Sequence, residues 1–539
     1  MSTAVSASAA ASNAPAPLPT LSPSELPMRT KVFAFATMCV GMFIALLDIQ
    51  IVSASLRDIG GGISAGADET VWVQTAYLIA EIIIIPLSGW LARVMSTRWL
   101  FAASAAGFTV TSLLCGIAWN IESMIAFRAA QGFLGGSMIP MVFTTAFAFF
   151  EGKQRVAAAA IIGGLASLAP TLGPTIGGWI TDNFSWHWLF FINLAPGIFV
   201  TIVVPILVKI DEPDWSLLKG ADYLGMVLLA LFLGCLEYTL EEGPRWDWLG
   251  DHVILTTAWI SGIAGIGFLW RSLTYKNPVV DLSALKDVNF ALGCVFSFVT
   301  GIGIFATIYL TPLFLGQVRG FSALQTGLAI FSTGLFQVMS IPIYAYFANR
   351  VDLRWLLMFG LALFALSMWN FMPIMHDWGG AELLLPQALR GAAQQFAVAP
   401  TVTLALGALP PARLKQASGL FNLMRNLGGA IGIAACATIL NDRTNLHFLR
   451  LAEHLNIRNE AMAAFLNDAT TRLTLLSNEV NDGNAAAVKQ LWSLAMREAH
   501  TLTYSDAFLA IFVCFAIATP LVPLMRKVAP PKAPSADAH

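Results

Sequence analysis

The sequence predicts an all-α polytopic membrane protein of fourteen spans with both termini cytoplasmic. Three observations carry that expectation. With 539 residues, 57% hydrophobic and 12% charged, the chain falls well short of the roughly 25% charged residues that solvate a soluble domain. Its charges are clumped, and the apolar stretches between them run about 20 residues, enough to cross about 30 Å of hydrocarbon. Its basic residues also fall on alternate connections. The net charge of −2 points to no class of partner, and no nucleic acid is expected.

Taken in order, the apolar runs between charge clusters and Gly/Pro breaks place spans at 32–54, 72–92, 99–119, 123–150, 156–181, 187–208, 222–241, 252–270, 289–317, 324–347, 354–375, 381–409, 416–441 and 505–526. With the N-terminus cytoplasmic, eighteen of the thirty Lys and Arg fall on that side, from Arg29 and Lys31 to Arg526, Lys527 and Lys532. The short loops opposite hold Arg57, Arg245 and Arg319. One missed or invented helix would invert every later loop, so the bias supports the whole map.

Residues 1–28 are rich in Ala, Ser and Pro and are expected to be a disordered cytoplasmic tail; 527–539 form a second. Ser53-Ala54-Ser55 resembles a leader cleavage site. The long polar tail before the first run, and Asp48 within it, favour a retained helix instead. All six cysteines lie in apolar runs, and neither they nor the histidines have metal-ligand spacing. They read as packing residues, so no metal site is expected.

Spans one to six and nine to fourteen read alike. Arg128-Ala-Ala-Gln131 is followed by Pro140, and Arg390-Gly-Ala-Ala-Gln394 by Pro400. A basic loop follows each, Lys153-Gln154-Arg155 and Arg413-Leu414-Lys415, and then a Gly-rich span. The implied organisation is a six-helix half (29–210), a two-helix insert (211–280) and a second six-helix half (281–526), with a substrate site between the halves near the midplane. The segment 442–504 breaks the symmetry as a long outer loop. Two amphipathic helices are expected in it, at 445–479 and 484–503. They form either a self-packed cap or a docking surface for a periplasmic partner.

An ionisable side chain inside a span is costly and is a functional candidate by default. Asp48, Glu81 and Arg128 are the proton-coupling candidates; Glu237 reads as interfacial and Asp506 as structural. The alternative for each acid is a fixed pairing with a neighbouring Arg, such as Glu81 with Arg128. Burial disfavours a charged carboxyl, which lets it take a proton from one side and release it on the other. A charge moved through 100 mV supplies about 2.3 kcal/mol, and each pH unit about 1.4 kcal/mol. One or two such groups therefore suffice for uphill export, with the proton gradient as energy source and no cofactor. Gly173-Pro174 with Gly177-Gly178 reads as a kinked, closely packed contact.

These residues resemble the major facilitator superfamily, and within it the fourteen-helix drug/proton antiporters of EmrB/QacA type, over about residues 30–526. Leu47-Asp48-Ile-Gln-Ile-Val52 is similar to the group's first-helix motif, and Arg128-Ala-Ala-Gln131-Gly132 to its span-four motif. Gly173-Pro174-Thr-Ile-Gly177-Gly178 resembles the antiporter motif, and Trp186-His-Trp188-Leu-Phe-Phe-Ile-Asn193 the start of span six. Ala417 to Asn422 and Arg425 to Gly432 look like span thirteen. The resemblance implies export of hydrophobic or cationic small molecules from the inner membrane. The cavity candidates are Gln131, Met138, Phe143, Asn422 and Arg425, although Met138 and Phe143 on span four read equally well as packing. The resemblance also implies a cytoplasmic gate at Gly89, Arg93 and Arg98. Arg93 stands where the gate motif expects Asp, and Ser96 where it expects Gly, which leaves the usual carboxylate latch unaccounted for. The long outer loop is similar to that of members that engage a membrane-fusion adaptor and an outer-membrane channel. A symporter importing a nutrient or siderophore is the main alternative. An intramembrane enzyme is a further one, opposed by the lack of paired acids near His187 or His376.

Overall fold

The computed structural model describes residues 26–527 apart from 408, 456–459 and 478–479. Nearly all of both expected tails, Lys532 included, and part of the predicted outer helix at 445–479 therefore lie outside the described residues.

The first part runs α1 (Met28–Ala54), α2 (Leu56–Gly62), α3 (Ala67–Thr70), α4 (Trp72–Met95), α5 (Thr97–Gly116), α6 (Ile121–Gly136), α7 (Met138–Phe149), α8 (Gly152–Asn183), α9 (Trp188–Phe191) and α10 (Leu194–Leu207). Next come α11 (Tyr223–Glu242) and α12 (His252–Thr274), then α13 (Val288–Gln317), α14 (Ala323–Ala348), α15 (Leu353–Phe371) and α16 (Leu384–Leu406). The chain finishes with α17 (Pro411–His454), α18 (Glu460–Ser477) and α19 (Val480–Ala518). Several starts are fixed by polar caps: Asp222, Asp251, Asp287, Ser322 and Asp352 each accept a backbone N–H from the first turn.

Every predicted span coincides with helix, but the number apolar enough to cross a bilayer is smaller than fourteen. Among the described residues twelve helices qualify, or thirteen when α8, bent by 42° between Ala166 and Thr171, is taken as one span. The bend has a local cause: Pro170 has no N–H to give the Ala166 carbonyl. The remaining predicted span is α16. At 23 residues it is long enough, yet Gln387, Arg390, Gln394 and Gln395 dilute its apolar character. All four are fully buried, so its polar face turns into the protein.

The halves meet along two seams. Helix α8 lies between α1 and the pair α14/α16, and α4 packs against α17. The inserted α11 lies on α4, with α12 outside it. Helix α12 presents Trp259, Ile263, Ile266 and Leu273, each 65–75% exposed. An outward apolar face of that extent fits lipid.

The outer loop differs from expectation. Its first and last portions are continuations of the neighbouring spans, because 433–454 and 484–518 contain neither Gly nor Pro to stop a helix. Helix α17 has 44 residues, about 66 Å. Helix α19 has 39 residues, about 58 Å. Each exceeds the roughly 30 Å hydrocarbon layer about twofold. The projecting parts are tied together by His447 Nε2 and Asp506 Oδ2 at 2.9 Å and by Phe448 against Trp492 at 6.3 Å, and α18 packs on α19. Asp506, expected to be structural, is thus a partner of His447 in mid-helix.

Candidate functional site

The polar centre of the first half is built around Asp48 of α1, which has no exposed surface. Arg128 of α6 donates from Nη1 to Asp48 Oδ2 at 2.5 Å and to Gln131 Oε1 at 2.8 Å. Its Nε donates to the Val73 carbonyl at 3.0 Å, and its guanidinium lies 4.3 Å from the Tyr77 ring centroid. Gln131 Nε2 donates to Asp48 Oδ1 at 3.2 Å, and Asn193 Nδ2 donates to the same oxygen at 2.7 Å. Asn193 in turn donates to Ser112 Oγ at 3.1 Å. Arg128 and Gln131 are three residues apart on one helix face, so one turn of α6 delivers both the cation and the amide. Both carboxylate oxygens are thereby held by helices α6 and α9–α10. Arg128 is Asp48's partner and not that of Glu81, contrary to the fixed pairing considered from sequence. Asn193 is the last residue of the span-six motif, and nothing in its local sequence marks it as a partner of Asp48.

Glu81 is buried on α4, one turn beyond Tyr77. Its carboxylate makes no ion pair or hydrogen bond among the described residues. Arg425 and Arg128 act on it through space. Glu237, expected at the membrane interface, is buried with Oε2 unpartnered. The difference arises because α11 packs on α4 rather than standing apart in lipid. Of the cavity candidates, Gln131 belongs to the Asp48 network. Met138, Phe143 and Asn422 are buried, and Phe143 faces Phe421 of the other half at 6.3 Å. Asn422 Nδ2 donates to the Ser418 carbonyl at 2.9 Å while its Oδ1 is unpartnered.

The Gly173-Pro174-Gly177-Gly178 segment forms the part of α8 beyond the bend. A Cβ at Gly173 would stand 2.2 Å from Gln50 Cβ, and one at Gly177 would stand 2.7 Å from the Ile51 carbonyl oxygen. These two glycines therefore let α8 close onto α1 just past Asp48. Gly178 is buried in the same stretch.

At the predicted cytoplasmic end a carboxylate from elsewhere in the chain, Asp211, joins α5 to α17. Gly89 of α4 lies under the start of α17, where a Cβ would stand 2.6 Å from the Lys415 carbonyl oxygen. Lys415 Nζ crosses back to the Ala92 carbonyl at 3.1 Å and to the Asp211 carboxylate. Asp211 also accepts from the Thr97 N–H at 3.0 Å, capping α5. Thr144 and Ser418 hydroxyls pair across the halves at 2.9 Å. Of the expected gate residues, Gly89 lies in this contact. Arg93 and Arg98 form no ion pair among the described residues; Arg98 lies over Trp99 at 5.3 Å. Nothing in the local sequence pointed to Asp211, which approaches from more than a hundred residues away.

The fold and this buried polar centre define a multi-pass membrane transporter of the inner membrane. The chain belongs to the Major Facilitator Superfamily, whose family profile matches residues 38–433 and 294–530. It is 37% identical over 486 residues to the colistin resistance protein EmrB of Acinetobacter baumannii, covering 90% of this chain and 93% of that one. It is 31% identical to the multidrug export protein EmrB of Haemophilus influenzae, covering 84% and 91%. It is 29% identical to the fatty acid resistance protein FarB of Neisseria gonorrhoeae, covering 93% and 97%. Among solved structures, the proton:xylose symporter XylE shares the fold at a TM-score of 0.60 and 11% identity, covering 93% of this chain and 96% of that one.

Proposed function

We propose that this chain exports hydrophobic or cationic small molecules, drugs among them, across the inner membrane in exchange for protons, without a cofactor. The observation that carries the reading is the unexposed Asp48 carboxylate, held by Arg128, Gln131 and Asn193 beside the α1–α8 contact. A proton on Asp48 cancels its attraction for Arg128 and frees that face of α6, while deprotonation restores the pair. Because α1 carries Asp48 and also bears on α8 at Gln50 and Ile51, the proton state of Asp48 is tied to the helix that bends between the halves. The relatives named for colistin resistance and multidrug export support export over import. The step is proton binding and release, not the making or breaking of bonds in the cargo.

The topology proposed for this function is fourteen crossings with both termini cytoplasmic. The latch of Lys415, Asp211 and Gly89 then closes the inner mouth. The α17–α19 projection stands outside, where a membrane-fusion adaptor leading to an outer-membrane channel would meet it. The test is ethidium movement in proteoliposomes under an imposed pH gradient. Accumulation against the cation gradient that collapses with an uncoupler supports antiport. Movement of ethidium in the same direction as protons overturns it in favour of symport.

A further inference from the structure

Helices α4 and α17 run antiparallel along one seam between the halves, and they are joined at both ends. At one end Gly89 lies under Lys415, and a turn further along a Cβ at Gly419 would stand 3.0 Å from the Ile85 carbonyl oxygen. The other end is bridged by the connection between the inserted helices α11 and α12. Toward the first half, Tyr238 of α11 stacks on Trp72 with ring centroids 5.3 Å apart, and Arg245 pairs with Asp68. Toward the second half, the Trp248 indole N–H donates to Thr438 Oγ1 at 3.0 Å, and Asn441 Nδ2 donates to the Pro244 carbonyl at 2.7 Å. Thr438 gives its own hydroxyl proton to the Ala434 carbonyl at 2.8 Å, so its oxygen is free to accept. By the helical rise per residue, Lys415 and Thr438 are about 35 Å apart along α17, a little more than the roughly 30 Å hydrocarbon layer. The two junctions therefore stand on opposite faces of the bilayer.

The backbone of the bridge is bent to make this contact. Asp247 and Trp248 have φ of +55° and +51°, the left-handed region that a bulky residue avoids. Gly243 makes room for the ring, since a Cβ there would stand 2.6 Å from Trp248 Cε3. Such a conformation persists only where its surroundings hold it. The two attachments are also unequal. Helix α11 lies along α4, where Gly234 meets Ile79 and Ile83, so the insert is carried by the first half. It also borders α17, but among the described residues its hydrogen bonds to that helix are the two above. Both join neutral groups, which makes them weaker than a charge-assisted bond, and this is the side that can let go.

We infer that the α11–α12 connection is a strap across the outer end of the α4–α17 seam, and that Trp248 on Thr438, with Asn441 on Pro244, is the latch that opens for cargo to leave. The inference rests on the export reading and its topology, which put this end outside, and it gives the insert a part in the transport cycle. Alternating access then requires the two latches of one seam to open in turn.

The test uses full-length protein without native cysteines, carrying Ala434→Cys, a buried position one turn before Thr438. Trp248→Phe keeps a ring and loses the N–H; Thr438→Val keeps the shape and loses the acceptor. Each is expected to raise at least fivefold the rate at which an impermeant thiol reagent outside intact cells labels that cysteine, with little change in unfolding temperature. Should Trp248→Phe fail to fold, Thr438→Val decides the labelling result. In a second protein, Trp248→Cys with Thr438→Cys is joined by a reducible bifunctional thiol reagent. The cross-link is expected to slow uncoupler-sensitive ethidium efflux at least tenfold, and reductant to restore it. A strap that only props the insert against α17 would tolerate being locked. Efflux that continues through the cross-link overturns the inference, as does labelling unchanged in the single variants; with export intact in wild type, either result sinks the strap alone. Labelling that arrives only from the cytoplasmic side of everted vesicles also overturns it, because that places this end inside. Ethidium that moves with protons yet is stopped by the cross-link supports the latch and counts against the export reading. Protein that moves no ethidium counts against that reading too, and the labelling rates then decide the latch.

Discussion

Asp48 on α1 and Arg128 on α6 form an ion pair of 2.5 Å in which neither side chain has exposed surface. Eighty residues separate them in sequence, so the pair ties the first helix to the fourth predicted span. Holding the fold and the proposed carrying of the proton make different demands on the pair and can be separated.

Removing one partner of a buried pair strands the other and costs about 3–5 kcal/mol. Asp48→Asn is therefore expected to lower the thermal unfolding temperature of the detergent-solubilised protein. Asp48→Asn combined with Arg128→Gln, which leaves no stranded charge, is expected to recover most of that loss. Uncoupler-sensitive ethidium efflux should be absent from both variants. Recovery of efflux in the double variant would mean that the pair is only structural and that the proton travels elsewhere.

Glu81 has the opposite character: buried, with no ion pair among the described residues, and facing Arg425 of the other half through space. Glu81→Gln is expected to leave the unfolding temperature within about 2 °C, equivalent to at most about 2 kcal/mol for a chain of this size. Ethidium efflux should fall at least tenfold, because the carboxylate is a buried negative group free to meet a cation. Equal efflux of ethidium in wild type and Glu81→Gln would remove Glu81 from both the coupling and the substrate assignments.

The latch proposed for the inner mouth depends on Asp211 bridging the α5 N-terminus and Lys415. In a background without native cysteines, a cysteine replacing Ser418, which lies against Thr144, should react slowly with a cytoplasmic thiol reagent. Asp211→Asn and Lys415→Met are each expected to raise that rate at least fivefold and to slow efflux. The exchanged pair, Asp211→Lys with Lys415→Asp, should restore only part of the protection, because a lysine at 211 cannot cap the Thr97 N–H. Unchanged reactivity in both single variants would show that the seam is held by Gly89 packing alone.

What the sequence made legible follows from the range of the interactions involved. Span positions and the polar centre were readable because a charge in a hydrocarbon-length run stands out locally, as Asp48, Glu81 and Arg128 each do. The partners of those charges were not: whether Arg128 meets Asp48 or Glu81 depends on how α1, α4 and α6 pack, and no periodicity encodes that. Asp211 is invisible for the same reason, since the gate motif lies next to Gly89 while the carboxylate arrives from the far side of α10. Helix α16 shows the converse. Its hydropathy argues against a span, while its place in the repeat, through Arg390 and Gln394 matching Arg128 and Gln131, argues for one.

The projecting helices of α17 and α19 allow the adaptor reading to be tested apart from transport. Their mutual contacts, His447 with Asp506 and Phe448 with Trp492, account for one face of each. Leu449 at 61% exposure and Val488 at 52% remain outside those contacts. Exposed apolar side chains on a surface outside the membrane are what a protein partner would cover. Leu449→Ser with Val488→Ser is expected to lower drug resistance of intact two-membrane cells at least fourfold while leaving ethidium transport in everted inner-membrane vesicles unchanged. Vesicles need no outer-membrane channel, so a matching loss there would mean that the hairpin serves the transport cycle itself. Unchanged resistance in cells would mean that the face is a self-packed cap, because a docking surface loses affinity when its apolar anchors become polar.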